Sequence, residues 1–198
     1  IAYPQIEVYG YSTMTLKANG EIWSYGNNEY GKLGLGKVNR AVIPTYTGIN
    51  NIVQISLGAN HSLALDVDGH VWSLGYNNYG QLGNGTNKSE WKPIKTMTDI
   101  VEVSLGSSHS AAIKQDGSLW MWGFNSHGQL GNGTFEYTSE PVKIMDNVAQ
   151  VSLGSLHSAA LKSDGTLWVW GYGSSGVLGN GTFENSSEPI KIMDNVVQ

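Results

Sequence analysis

Four near-copies of one unit fill this sequence. Successive copies lie 49, 48 and 48 residues apart, counted on their turn glycines Gly20, Gly69, Gly117 and Gly165. We treat the chain as a single domain with repeats at approximately residues 5–53, 54–101, 102–149 and 150–198. A repeat of this length is one supersecondary unit that buries its apolar face only by stacking on its neighbours. The repeat therefore predicts the architecture before any single residue is considered.

The third copy shows the order of predicted strands within a repeat. Alternation of apolar and polar residues over 101–105 predicts a first strand, which Gly106 ends. A second strand is predicted over His109 to Lys114 and a third over Leu119 to Gly123. Asp116-Gly117 between them predicts a hairpin with a type I′ turn, because both central residues of that turn need a positive φ.

A glycine-rich loop and an outer strand complete each copy. In the third copy the loop spans 123–133, and we expect several of its glycines to have positive φ or to allow close backbone approach. A fourth strand is predicted over Pro141 to Met145, at a sheet edge where proline removes no ladder hydrogen bond. Four strands in about 48 residues, with recurrent glycine and tryptophan, are typical of a β-propeller blade. We therefore predict an all-β fold with little or no helix.

The copies share the motif Gly-x-x-His-Ser-x-Ala-Leu, then Asp-Gly-x-Leu-Trp-x-Trp-Gly, then Gly-Gln-Leu-Gly-Asn-Gly-Thr. This motif resembles the regulator of chromosome condensation (RCC1-like) repeat over essentially the whole chain. The first copy departs from it, since Ser12 replaces the histidine, Tyr9 the first glycine and Leu35 the asparagine. The resemblance implies blades of four antiparallel strands, usually seven to a ring. Four repeats are then part of such a ring, or half of a ring completed by a second chain.

An open arc of four blades would leave two blade faces uncovered. Blades pack through apolar side chains, and several large aromatic residues recur at repeat positions: Trp23, Trp120, Trp122, Trp168 and Trp170. We therefore expect self-association, in which two arcs pair into an eight-bladed ring. A truncated seven-bladed ring is an equal alternative.

Composition excludes several classes of protein. The net charge of -5 shows no basic footprint for nucleic acid, and no apolar run reaches the length of a membrane helix. The absence of cysteine excludes disulfides and thiolate chemistry. The chain begins at Ile1 without a signal-like leader, so we expect a processed protein or a fragment of a larger bacterial surface or secreted protein.

Three motifs that suggest ligand chemistry are explained better by the repeat. His61, His109 and His157 occupy equivalent positions around the arc, so they are predicted to be buried and bonded to backbone, without converging on a metal. The run from Gly171 to Gly176 matches a dinucleotide fingerprint but precedes no helix. Asp66 to Gly69 begins like a calcium loop but lacks its later ligands. We predict no metal and no cofactor.

The search for catalytic residues identifies none. There is no cysteine and no Gly-x-Ser-x-Gly elbow, and each serine beside a repeat histidine points to the opposite strand face. The chain is therefore predicted not to be an enzyme. A carboxylate pair that the fold brings together, as in a hydrolase, stays an open third hypothesis.

Candidate binding residues are those that differ between the copies in predicted loops. They comprise positions in the glycine-rich loop, positions after the first glycine and one unusual aromatic residue: Tyr30, Tyr79, His127; Tyr11, Asn60, Ser108, Leu156; Trp91. Exposed tyrosine and tryptophan are efficient interface anchors. Neutral drift in exposed loops is the alternative explanation.

The preferred hypothesis is a non-enzymatic protein–protein interaction module built on these repeats. The family it resembles includes a guanine-nucleotide exchange factor, a β-lactamase inhibitor and a plant ultraviolet receptor, so the resemblance does not determine the function. The alternative is a carbohydrate- or cell-envelope-binding module, favoured by a charge-poor surface rich in Asn, Tyr and Trp. A guanine-nucleotide exchange factor is less supported than either of these two hypotheses. The expected partner is a protein of unknown identity, or a glycan.

Overall fold

The computed structural model describes residues 2–197, and within them the chain forms sixteen strands and one 3-10 turn. The first sheet contains β1 (Gln5–Tyr9), β2 (Ser12–Leu16), β3 (Ile22–Asn27) and β4 (Arg40–Tyr46), with the turn at Glu29–Gly31. The second contains β5 (Ile52–Leu57), β6 (His61–Asp66), β7 (Val71–Gly75) and β8 (Glu90–Met97). The third contains β9 (Ile100–Leu105), β10 (His109–Lys114), β11 (Leu119–Gly123) and β12 (Thr138–Met145). The fourth contains β13 (Val148–Leu153), β14 (His157–Lys162), β15 (Leu167–Gly171) and β16 (Ser186–Met193).

Each sheet is an antiparallel meander in sequence order, and we call the four sheets blades 1 to 4. The first strands β1, β5, β9 and β13 contact one another in turn, so they form the inner side of an arc. The predicted all-β blades of four strands are confirmed. The outer strand of blade 3 begins at Thr138, ahead of the predicted start at Pro141. No helix within residues 2–197 is long and apolar enough to cross a membrane, and Gln198, the predicted end of the last repeat, lies outside the described residues.

The Asp-Gly hairpins form as predicted, but their predicted turn type is wrong. Gly117 has φ 79°, whereas Asp116 is absent from the residues with positive φ. Gly117 N donates to Lys114 O at 2.9 Å, and Lys114 N donates to Ser118 O at 2.9 Å. This is a three-residue loop in which a turn is followed by one left-handed glycine. Because this loop has one residue more than a type I′ hairpin loop, the aspartate does not need the left-handed conformation that a type I′ turn requires.

The core consists of apolar layers between neighbouring blades. Because side chains alternate along a strand, Leu63 and Leu65 of β6 face blade 3, where they pack with Val103 and Trp122. Ala64 faces the other way and joins the layer between blades 1 and 2. Each blade therefore contributes to two layers, which makes the neighbours mutually dependent.

Two buried indoles explain one glycine of the loop. Trp122 and Trp170 are fully buried, and a Cβ added to Gly83 of the preceding blade would lie 2.7 Å from Trp122 Nε1. Gly131 has the same relation to Trp170. Each indole Nε1–H donates to a main-chain carbonyl of the preceding blade, that of Gln81 for Trp122, at 2.9 Å. The loop glycine and the next blade's tryptophan therefore form one packing unit.

Substitution of Gly83 by alanine tests this unit. Gly83 and Gly181 both have positive φ, so alanine at either incurs a left-handed penalty of about 1–2 kcal/mol. At Gly83 alanine also overlaps the Trp122 indole, which adds about 1–3 kcal/mol, whereas no atom lies within 4 Å of a Cβ at Gly181. Urea unfolding should show the larger loss of stability for Gly83→Ala. Equal losses in the two variants would show that the indole does not constrain the loop.

Candidate binding rim

Two sets of loops lie at the same edge of every blade. In an antiparallel meander the turn from the first to the second strand and the turn from the third to the fourth strand fall on one side. Main-chain hydrogen bonds join them: Tyr76 N donates to Asn60 O at 2.8 Å, and Phe124 N donates to Ser108 O at 2.9 Å. We call this surface the loop rim; it comprises residues 10–11, 28–39, 58–60, 76–89, 106–108, 124–137, 154–156 and 172–185.

A buried asparagine holds each of the first three glycine-rich loops in shape. In blade 2, Asn77 Oδ1 accepts from Leu82 N at 2.9 Å, while Asn77 Nδ2 donates to Thr86 O at 2.9 Å and to Lys88 O at 3.0 Å. Asn28 and Asn125 make the equivalent bonds. Such loops hold the aromatic residues beside the asparagine at fixed positions, which lowers the entropic cost of binding.

Aromatic side chains form a continuous row along the loop rim. Three contacts cross the three blade boundaries in turn, with ring-centroid distances of 4.7 Å for Tyr30–Tyr76, 4.8 Å for Tyr79–Phe124 and 5.1 Å for His127–Tyr172. Contacts of 6.2 Å and 6.4 Å within blades 2 and 3 join these pairs. We call this set the aromatic row; its members are Tyr30, Tyr76, Tyr79, Phe124, His127 and Tyr172.

The structure brings together most of the candidate residues selected from the sequence. The three loop candidates belong to the aromatic row: Tyr30, Tyr79 and His127. The four candidates after the first glycine lie on the same loop rim, where their carbonyls accept the amide at the start of the neighbouring loop: Tyr11, Asn60, Ser108 and Leu156. Tyr11 is 89% exposed. The sequence comparison missed Tyr76, Phe124 and Tyr172, because an aromatic residue repeated in three copies was interpreted as scaffold.

Trp91 forms no ring contact with the aromatic row but packs against Gly31, the neighbour of Tyr30. It is partly buried on β8, and a Cβ added to Gly31 of blade 1 would lie 2.8 Å from Trp91 Cα and 2.9 Å from its ring. Trp91 also lines a groove between residues 34–36 and 47–51 of blade 1 and the hairpin and outer strand of blade 2.

His61 and His109 connect blades through side-chain hydroxyls, so the predicted backbone partner of these two histidines is wrong. His61 Nε2 lies 2.9 Å from Ser110 Oγ of the next blade, and His109 Nε2 lies 3.1 Å from Ser158 Oγ. Ser110 Oγ donates to Gln81 O at 2.8 Å, so it accepts from the imidazole Nε2–H. A neutral histidine then has no proton on Nδ1.

A second connection runs through the inner strands. Gln54 Oε1 accepts from Val103 N at 3.0 Å, and Gln54 Nε2 donates to Val103 O at 3.0 Å. Glu102 Oε1 accepts from Val151 N at 3.0 Å. The blades are therefore held in register both near the arc's inner edge and at the histidine layer, and this register positions the aromatic row.

One group of side chains in the described chain has ligand atoms spaced closely enough for a metal: Asp66, Asp68 and His70, within 4.8 Å of one another. Asp66 Oδ1 already accepts from the amides of Asp68 and His70, at 3.0 and 2.9 Å. Asp66 Oδ2 accepts from Trp72 Nε1 at 2.8 Å and contacts His70 Nδ1 at 3.0 Å. These bonds lower the pKa of Asp66 against the opposing effect of burial. These hydrogen bonds account for the close spacing of Asp66, Asp68 and His70 as that of a hairpin turn.

An arc of four-stranded blades with a loop-lined rim defines a β-propeller repeat protein. The chain belongs to the regulator of chromosome condensation (RCC1) repeat family. The family's repeat model matches residues 19–65, 68–113, 116–161 and 164–198, and a second RCC1 repeat model matches residues 52–81, 100–129 and 148–177.

Solved structures of RCC1-type proteins share the fold. Yeast RCC1 (Prp20) bound to Kap60 has a TM-score of 0.85 at 24% identity, covering 96% of this chain and 48% of that one. Prp20p from Saccharomyces cerevisiae has a TM-score of 0.84 at 24% identity, covering 96% and 50%. Human WBSCR16 has a TM-score of 0.86 at 24% identity, covering 97% and 53%. The chain thus spans about half the length of these structures.

The buried histidines predict loss of stability in acid. Burial lowers the pKa of His61 and His109 to about 3, whereas an unfolded histidine titrates near pH ~6.5. Between these values the unfolded chain binds more protons, so stability falls as pH decreases, by up to about 1.4 kcal/mol per pH unit for each histidine. Urea unfolding between pH 7 and about pH 4 should show a smaller pH dependence for His61→Gln. An unchanged slope in His61→Gln would contradict the assignment.

Proposed function

We propose that the chain is a non-enzymatic protein–protein interaction module whose loop rim binds a protein partner. The observation that supports this proposal is the aromatic row, which crosses all three blade boundaries and is partly exposed throughout. Aromatic side chains bury a large area at low conformational cost, and rigid loops present them without a large ordering penalty. A row of this kind suits an extended segment whose apolar side chains insert between successive rings.

Protein binding by similar proteins also supports the proposal. Yeast RCC1 (Prp20) was solved bound to Kap60, and Prp20p was studied for its binding to Gsp1p and histones. For this chain they support a protein partner in general. The net charge of -5 does not favour a nucleic-acid partner, and no residue of this chain is assigned a role in nucleotide exchange.

Carbohydrate or cell-envelope binding is the second candidate function. Its support is the groove between blades 1 and 2, where Trp72 and Trp91 line one cavity beside polar side chains. A place in a bacterial surface or secreted protein stays part of the proposal; the charge-poor, cysteine-free composition is compatible with it.

We also propose that two copies associate through the ends of the arc, which carry complementary halves of a blade interface. On blade 1, Ile6 and Val8 are 70% and 66% exposed, whereas Ile55, the blade 2 equivalent of Ile6, is 2% exposed. On blade 4, Leu161 is only half-buried, whereas its blade 3 equivalent, Ile113, is buried. Each end thus presents the apolar surface that the other end lacks.

The polar groups at the two ends match as well. Thr13 of blade 1 stands at the position of the interface serines, and His157 of blade 4 stands at that of the interface histidines. Gln54 of blade 2 binds the main chain of Val103 in blade 3. Gln150, the blade 4 equivalent of Gln54, is exposed, and Ile6 is the blade 1 equivalent of Val103. Two arcs joined in this way close an eight-bladed ring. Further repeats of a longer chain are the alternative cover for both faces.

Selection of random linear peptides displayed on phage tests the loop rim. Tyr79 lies at the centre of the row, so Tyr79→Ala should weaken binding of the selected peptides on the order of tenfold or more, measured by biolayer interferometry. Val67→Ala is the control, because Val67 is 59% exposed on a hairpin tip at the opposite edge of the blade. Peptides that bind Tyr79→Ala and wild type equally would argue against the aromatic row as the binding surface.

Sedimentation equilibrium tests the association of two arcs. The expected mass is twice the 21.4 kDa of one chain. Ile6→Asp introduces a charge on the end face and should give a single-chain mass, whereas Val67→Asp, on an exposed hairpin tip, should leave the dimer intact. A wild-type chain that stays single and binds a hydrophobic dye would instead support cover by further repeats of a longer chain.

A further inference from the structure

A groove lies between blades 1 and 2, with Gly34, Gly36 and residues 47–51 on one side and the hairpin and outer strand of blade 2 on the other. Its volume is about 610 Å³, and its walls include the indoles of Trp72 and Trp91 together with Ile49 and Pro93. Asn50 and Asp68 lie at its edge. Cavities of several hundred Å³ with aromatic walls and a few polar groups are typical of small-ligand sites.

The grooves between the other blades show what is specific to this one. They are lined by the equivalent tryptophans and prolines, but in each a lysine approaches the tryptophan ring: Lys114 at 4.8 Å from Trp120 and Lys162 at 5.9 Å from Trp168. In blade 2, Asp66 occupies the position equivalent to these lysines.

The carboxylate of Asp66 orients the groove's indole. It accepts the Trp72 Nε1–H at 2.8 Å and is itself held by the amides of the hairpin turn. In the other two grooves the indole N–H donates to a hydroxyl, Ser118 Oγ or Thr166 Oγ1, so blade 2 differs in having a carboxylate as the acceptor and no lysine at this position. Lys95 lies 5.8 Å from the Trp72 ring centroid but lines the next groove.

Two further departures from the repeat meet in the same groove. Trp91 replaces Ser139 and Ser187 of the later copies and adds a second indole. Lys92 replaces a glutamate at the next position and lines the groove edge. Asp66 lies at least 25 residues from Trp91 and Lys92 in the sequence, yet these three departures from the repeat line one cavity. Drift in exposed loops does not account for that convergence, because it would scatter the changes over the surface.

We propose that this groove binds a hexose unit of a neutral glycan. An indole face takes the apolar C–H face of a pyranose ring, while carboxylate, amide and ammonium groups at the edge exchange hydrogen bonds with hydroxyls. Asp66, Asp68 and Lys92 all line the groove, but the Asp66 carboxylate is occupied by the Trp72 indole and the turn amides. One carboxylate and one ammonium are left to bind a ligand, which suits a neutral polyol better than an anion or a cation. The assignment rests on the second candidate function, carbohydrate binding, and is independent of a protein partner at the loop rim.

The test is a titration of the full chain with three neutral disaccharides, cellobiose, maltose and N,N′-diacetylchitobiose, followed by NMR of the indole Nε1–H signals. At least one sugar should shift the Trp72 and Trp91 signals with saturation. Trp91→Ser, which restores the residue of blades 3 and 4, should weaken binding on the order of tenfold or more. Val101→Ala, exposed on β9 outside the groove and the loop rim, should leave the binding unchanged.

Two other outcomes would contradict the proposal, and they distinguish failure of the groove site from failure of carbohydrate binding as a function. Saturable binding that survives Trp91→Ser but is lost in Tyr79→Ala would overturn the groove site and keep glycan binding as a function. No saturable shift with any of the three sugars would overturn both. The indole signals of Trp122 and Trp170, buried in the layers between blades, report whether Trp91→Ser has kept the fold.

Discussion

The hydrogen bond from a buried histidine to the serine of the next blade is the interaction on which the stacking of blades 2, 3 and 4 depends; blade 1 has Ser12 in place of the histidine. The serine donates onward to a loop carbonyl of the histidine's own blade, so strand and loop are positioned together. The same carbonyl accepts the indole N–H of the next blade's tryptophan. Because these groups are excluded from water, an unpaired partner would cost more than an exposed one. Blade register is thereby specified by chemistry as well as by apolar contact.

The two surfaces proposed for binding both arise at blade boundaries. The aromatic row is continuous because its closest contacts join residues of different blades, as Tyr79 joins Phe124. The groove that contains Trp91 is likewise a product of two blades. A single repeat has neither surface. Each proposed surface therefore combines positions from two neighbouring blades, and a repeat-by-repeat comparison shows only one of the two.

Much of the fold could be predicted from the sequence because a blade is a local structure. The strands over 109–114 and 119–123 agree with the structure, since their alternation and the glycines that end them act within a few residues. The turn type was wrong because an Asp-Gly pair also suits a three-residue loop, and only the strand register decides between them. The partner of His61 was wrong because it lies in another repeat.

The sequence by itself determined the repeat length, the four-strand order, the hairpins and the absence of thiol chemistry, because each follows from composition or short-range pattern. Only the tertiary structure decided that Tyr30, Tyr79 and His127 form one row with Tyr76, Phe124 and Tyr172. It also decided that Trp91 packs against Gly31 of blade 1 and lines a groove with Trp72. The physical reason is that contacts across a blade boundary depend on the angle and register at which blades stack. Burial and hydrogen bonding between repeats set those quantities, and no local pattern within one repeat encodes them.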